Sequence, residues 1–158
     1  IHLKLRPDAA PNTAWNFRQL AEGGFYYDTT FHRVVPLTSK GFPFVIQGGD
    51  PTGTGSGGSG SWLPIEQSSI EHDFGIISMA RAGDPDSAGC QFFICLSRNG
   101  TARLDGQYCA FGETLVGHDT IKTIAATQIA DPQTGEPKEP PRIHNIRMVP
   151  APPRYPSR

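Results

Sequence analysis

The chain predicts a mainly β domain, a barrel with helices closing its ends. Three observations carry this. Eighteen Gly and 15 Pro in 158 residues require many turns. Short stretches of period-two alternation recur along the chain. Only two segments, far apart, carry a helical apolar stripe, so the helices are segregated from the strands. The length suits one domain with a real core, since chains of this size bury roughly two-thirds of their unfolded surface.

Residues 1–5 (Ile-His-Leu-Lys-Leu) alternate and read as a half-buried strand. A helix spans residues 11–22: Pro11 suits the first turn, where its missing N–H costs nothing, and Gly23-Gly24 stop it. Ala14, Phe17, Leu20 and Ala21 form its inward stripe. Residues 31–36 and 44–50 are strands, joined by a 37–43 loop longer than a tight hairpin. Residues 50–61 are nearly all Gly, Ser and Thr and form no regular element, only a flexible loop. Strands follow at 75–80, 90–97 and 109–113, with Leu104-Asp105-Gly106 a tight turn before the last. A second helix over 118–126 buries Ile121, Ile124 and Ala125. Residues 131–141 are a Pro-rich loop and 142–149 a final strand. The domain therefore covers 1–149, and 150–158 is a Pro-rich extended tail; a disordered end is its first reading, and a peptide-like segment visiting a neighbouring molecule's groove the other.

Composition excludes several function classes. A formal charge of −1 and scattered Lys and Arg leave no basic patch for nucleic acid. No apolar stretch approaches the roughly 20 residues of a membrane span. Cys90, Cys95 and Cys109 are an odd set without metal spacing and read as buried or half-buried thiols. They are compatible with a reducing compartment, such as the cytoplasm, without demanding one. The chain opens at Ile1, in mid-strand and without Met, which leaves room upstream for further residues, including a targeting segment for export or the periplasm. The five His are dispersed, so nothing local supports a metal site or a Ser-His-Asp arrangement. Gly53-Thr54-Gly55-Ser56-Gly57-Gly58 matches a dinucleotide pattern in form only. Pro51 interrupts the approach and residues 59–64 cannot start a helix, so no cofactor is expected.

The candidate chemistry lies on the strands. Alternation places Arg33 on a face with Phe31 and Val35, and Gln47 on a face with Val45. His32 points the other way and reads as a hydrogen-bonded structural histidine. On the 90–97 strand Phe92 and Ile94 face the core, while Gln91, Phe93 and Cys95 face outward. Two strands with the same polar-plus-apolar pairing predict a shared groove on the outside of a filled barrel. An arginine and amides can grip a peptide carbonyl or an amide nitrogen. They supply no nucleophile or base, so any catalysis is non-covalent.

Together these segments resemble a cyclophilin-type peptidyl-prolyl cis-trans isomerase. The matching stretches occur in family order: Ala10-Pro11-Asn12-Thr13-Ala14-Trp15-Asn16-Phe17, Phe31-His32-Arg33, Phe44-Val45-Ile46-Gln47-Gly48-Gly49-Asp50, Gly75-Ile76-Ile77-Ser78-Met79-Ala80, Gln91-Phe92-Phe93-Ile94 and Leu104-Asp105-Gly106. The compact turn from Asp50 to Gly55 is similar to that of prokaryotic members. The resemblance implies a closed eight-stranded antiparallel barrel capped by two helices, whose first strand would lie upstream of Ile1. Without that strand, residues 1–5 and 142–149 would flank an open gap. It implies a cofactor-independent, monomeric enzyme acting on proline-containing polypeptides and assisting folding; a binding module using the same groove is the other reading. Arg33 matches the family's catalytic arginine, and Gln47 the glutamine that steadies it. Phe44, Val45, Phe93 and Leu104 match the proline pocket, Val45 standing where Met is usual. Gly55, Ala80, Arg81 and Gln91 match the neighbouring subsite. Tyr108 stands where most members have a His closing the pocket, and Arg103 where a ring favours cyclosporin, so cyclosporin binding is expected to be weakened. An insertion lengthens the 37–43 loop.

Overall fold

The computed structural model describes residues 1–150; the Pro-rich tail at 151–158 lies outside the described residues. Strands β1 (His2–Leu5), β3 (Arg33–Val35), β4 (Val45–Gly48), β5 (Ile76–Met79), β6 (Phe92–Cys95) and β7 (Ala110–Val116) form one antiparallel sheet in the order β1-β7-β5-β6-β4-β3. Alternation sorts their side chains. Val34, Ile46, Ile77, Met79, Phe92, Ile94 and Phe111 point inward to the main core. Val45, Phe93 and Cys95 point outward into a second apolar cluster completed by Leu104. That outer cluster is the floor of the site.

Helix α1 (Pro11–Glu22) closes one side of the core. Its predicted stripe packs as expected: Ala14, Phe17 and Ala21 are buried and Leu20 is half-buried. Phe17 lies 5.1 Å from Tyr26 and from Phe111, and meets Phe92 edge-on at 5.5 Å. Helix α3 (His118–Ala125) buries Ile121 against the same core, with Ile124 and Ala125 half-buried beside it.

Three expectations are corrected. Besides the two foreseen helices there is a short α2 (Arg98–Thr101), started by Ser97, whose Oγ accepts the Gly100 N–H at 3.1 Å. The Pro-rich 131–141 loop contributes to a hairpin of β8 (Ile129–Asp131) and β9 (Glu136–Pro137), closed by the Gly135 N–H on the Asp131 carbonyl. The sheet does not close into an eight-stranded barrel. Of the predicted 142–149 strand only β10 (Arg142–Ile143) forms, and it pairs with β2 (Thr29–Thr30) in a separate two-stranded sheet. A strand needs a neighbour for its backbone groups, and residues 144–149 have none among the described residues. All three cysteines are free and buried. Burial pushes the Cys90 and Cys95 thiols up, to about 11 and about 12, so neither is a ready thiolate at neutral pH.

Candidate functional site

Register builds the site. Arg33 on β3 lies opposite Gln47 on β4, Gln47 opposite Phe93 on β6, and Phe93 opposite Ser78 on β5. Arg33, Gln47 and Phe93 thus form a row across three strands. Above it opens a pocket of 390 Å³ lined by Arg33, Phe44, Val45, Gln47, Ala80, Arg81, Phe93, Arg103, Leu104, Gln107 and Tyr108. Nine of the expected site residues therefore converge. The other two, Gln91 and Gly55, lie beyond the lining but are wired to it.

The wiring has one direction. Arg33 Nη1 donates to Gln47 Oε1 at 3.1 Å, and Gln47 Nε2 donates to Gln91 Oε1 at 3.0 Å. Gln91 Nε2 in turn donates to the Gly55 and Gly57 carbonyls at 3.0 and 2.9 Å. A guanidinium can only donate, so it sets the orientation of both amides down the chain. Arg33 Nε is held by the Thr134 carbonyl at 3.2 Å, which leaves its remaining N–H groups for a ligand. Burial pulls the guanidinium below its usual pKa, yet an arginine stays charged.

The Gly-rich loop is organised by one carboxylate rather than slack. Asp50 is fully buried and accepts the N–H groups of Thr52, Gly55 and Gly57 at 2.7, 2.6 and 3.0 Å, plus the Thr52 hydroxyl at 2.8 Å. Burial alone would raise its pKa; these donors outweigh it and hold the group below the ordinary range. A Cβ at residue 57 would stand 2.0 Å from Asp50 Oδ1, so only glycine fits there. Gly53 and Gly55 adopt φ of +69° and +86°. The glycines serve this turn, and no phosphate site is needed to explain them.

The description "Cyclophilin type peptidyl-prolyl cis-trans isomerase/CLD" belongs to the family model that matches residues 1–148. The chain belongs to this family. It is 44% identical over 131 residues to a peptidyl-prolyl cis-trans isomerase of Synechococcus elongatus, covering 83% of each chain. With peptidyl-prolyl cis-trans isomerase B of Bacillus subtilis it shares 41% over 127 residues, 79% of this chain and 82% of the relative. A peptidyl-prolyl cis-trans isomerase-like 2 of Cryptococcus neoformans is 38% identical over 136 residues, but this chain spans only 22% of that longer protein. Relatives therefore range across bacteria and fungi. The fold matches a Cryptosporidium parvum cyclophilin crystallised in the presence of the dipeptide Ala-Pro, with a TM-score of 0.80, 32% identity and 93% and 92% of the two chains covered.

Within the cyclophilin pocket the departures have clear places. Tyr108 stands edge-on to Phe93, 5.7 Å between ring centroids, and walls the pocket. The 37–43 insertion folds as its own turn, Phe42 N–H on Thr38 Oγ and Thr38 N–H on the Phe42 carbonyl, and supplies no pocket lining. Two expectations fail at residues 31 and 32, which lie outside β3: the face of Phe31 and the hydrogen bonding of His32. Phe31 turns into the core against Phe92 instead of sharing a face with Arg33. His32 is buried beneath the Gly55 loop, and neither ring nitrogen has a hydrogen-bond partner among the described residues.

Sequence reasoning missed two features. Gln107 lines the pocket beside Leu104 and the foreseen Arg103, and its position flanking the Leu-Asp-Gly turn was the available signal. The second is a Ser-His-Asp chain that the sequence did not foresee. Asp105 Oδ1 lies 2.9 Å from His72 Nδ1, and His72 Nε2 lies 2.9 Å from Ser78 Oγ. Asp105 lies 33 residues from His72, and Ser78 six, so no local motif shows them. Ser78 is fully buried and His72 stacks on Phe93 at 6.0 Å. This chain packs beside Phe93, the floor of the pocket, and none of its three residues lines the pocket.

Proposed function

We propose that this domain accelerates rotation about X-Pro peptide bonds, and thereby assists folding of proline-containing polypeptides, with Arg33 as the catalytic group. The observation that carries this is the Arg33–Gln47 hydrogen bond at the edge of a pocket floored by the apolar ring of Phe93. Rotation about the bond faces a barrier of roughly 18–20 kcal/mol because amide resonance must be broken. Uncatalysed exchange takes about 10–100 s, and turnover on the order of 10³ s⁻¹ needs that barrier lowered by about 6–7 kcal/mol. No covalent bond forms or breaks, so tighter binding of the twisted amide must supply the difference.

As the amide twists, the prolyl nitrogen pyramidalises and its lone pair becomes a hydrogen-bond acceptor. A guanidinium aimed at that nitrogen binds the twisted state better than the planar one. Phe93, Phe44, Val45, Leu104 and Tyr108 hold the proline ring. Gln47, locked between Arg33 and Gln91, fixes the guanidinium and offers contact to the substrate backbone, while Ala80, Arg81, Gln91 and the Gly55 turn border the preceding segment. Neither metal nor cofactor enters this chemistry. The test is exchange NMR on an Ala-Pro peptide with wild type and Arg33→Ala. Arg33→Ala is expected to lose about 100-fold in rate, the scale of removing one transition-state donor. An unchanged rate, or a wild type no faster than buffer while peptide still binds, makes the groove a binding surface instead.

A further inference from the structure

The pocket is cationic in a protein that is not. Arg33, Arg81 and Arg103 all line it and no Asp or Glu does, although the chain as a whole carries a formal charge of −1. Elsewhere most of the described arginines are neutralised: Arg6, Arg18, Arg98 and Arg142 each pair with a carboxylate, and Arg147 does not. Among the described residues none of the three pocket arginines does. Asp105, on the same turn as Arg103, is already engaged by Arg98 at 2.6 Å and by His72.

Two of these cations are mounted rather than loose. The Arg81 guanidinium lies over the Tyr108 ring, 4.6 Å from its centroid, and that of Arg103 lies over the Phe44 ring at 4.9 Å. They sit on the two aromatic walls between which a proline ring would enter. The cation–π contact favours each guanidinium's place over its ring. Arg81 spends Nε on the Gln107 carbonyl and Nη1 on those of Ala82 and Gly83, so part of its fork is occupied. Arg103 has no hydrogen bond among the described residues and is exposed, which leaves its whole fork for a ligand. A planar fork of this kind matches a carboxylate or phosphate better than any neutral group.

We infer that this pocket selects proline segments carrying a negative charge next to the proline, with Arg103 as its main contact and Arg81 as the second. The inference rests on the isomerase reading of the same pocket. Its shared chemistry is an anion, and a Glu side chain and a phosphorylated serine are its two sources. Arg33 stays with the prolyl amide, so charge recognition and rotation fall to different arginines.

Exchange NMR on matched peptides, Ala-Pro, Glu-Pro, phosphoserine-Pro and Lys-Pro, tests this, together with a second set carrying the charge just after proline. In kcat/KM, at least one anionic peptide is expected to exceed Ala-Pro by about three- to tenfold, Lys-Pro to fall below it, and both differences to shrink in about 0.5 M salt, where exposed charges are screened. Arg103→Gln is expected to remove most of the preference and Arg103→Lys to retain part of it. A gain with phosphoserine alone assigns phosphorylated segments, and a gain with Glu alone assigns acidic ones. If Ala-Pro is turned over but all peptides agree within about twofold, the inference is overturned and the isomerase stands. If none is turned over, the isomerase reading fails; peptide affinities from chemical-shift titration then decide charge selection separately.

Discussion

At the scale of single residues, Ser78, His72 and Asp105 show how the same three side chains can be machinery or masonry. A nucleophile must reach its substrate, and Ser78 is fully buried beside Phe93 on the neighbouring strand. Burial lowers the His72 pKa, with Asp105 partly opposing, so the ring is a neutral bridge: Asp105 accepts at one nitrogen while the other meets the serine hydroxyl. What the bridge does is couple the Leu104 turn to β5, the strand paired with the one that carries Phe93. Ser78→Ala would strand a buried ring nitrogen, at a cost of about 1–3 kcal/mol. Urea unfolding is expected to show that loss, while Ala-Pro isomerisation at low temperature stays within about twofold of wild type. Abolished turnover in a folded Ser78→Ala protein would instead mark the serine as a reacting group. Arg33 and Gln47 were legible in the sequence because they lie on regular strands whose faces alternate. The bridge was not, because its partners are 33 and 6 residues apart and meet only through the fold.

Among the elements, α1 is the most readable part of the chain and also hides its main anchor. Pro11 and the Ala14-Phe17-Ala21 stripe set its bounds, and the structure reproduces them from Pro11 to Glu22. Yet its N-cap residue is Ala10, which offers no side-chain acceptor. Glu66 takes that role from a distant loop: its carboxylate accepts the Asn12 N–H at 3.0 Å, and the Thr13 N–H and Thr13 hydroxyl at 2.6 Å each. Burial would raise the Glu66 pKa, and these donors on Thr13 and Asn12 bring it below its ordinary value. The contact also benefits from the positive end of the helix dipole. Because the partner lies 54 residues away, no capping motif near Pro11 could reveal it. Glu66→Ala is expected to cost about 1–2 kcal/mol, the scale of losing an N-cap, and Glu66→Gln roughly half of that. Equal denaturation midpoints for wild type and both variants would show that the loop is merely adjacent to the helix.

For the whole molecule, the same contrast sorts what the sequence could tell. The inward-facing strand residues Val34, Ile46, Phe92 and Ile94 follow directly from alternation, whereas closure of a barrel depends on which edge meets which, and the strand pairing leaves β1 with β7 alone. Buried polar groups follow neither rule, and together they set the response to pH. His32 and His72 both have lowered pKa values, chiefly through burial. In the unfolded chain each takes up a proton as pH falls through about 6.5, while the folded protein resists doing so. The unfolded state then binds more protons, so stability declines between the unfolded and folded values. Asp50, Glu66 and Asp105, also lowered, add a second decline only as pH drops below the usual carboxylate range near 4. The histidine step is separable, because the His32 nitrogens have no partners to lose. His32→Phe removes one titrating group and two unpaired polar atoms without opening a cavity, a change expected to be neutral or stabilising at pH 7.5. Wild type is expected to lose a few degrees in Tm between pH 7.5 and 5.5, and His32→Phe distinctly less. Parallel curves for the two proteins would assign the acid sensitivity to groups other than this histidine.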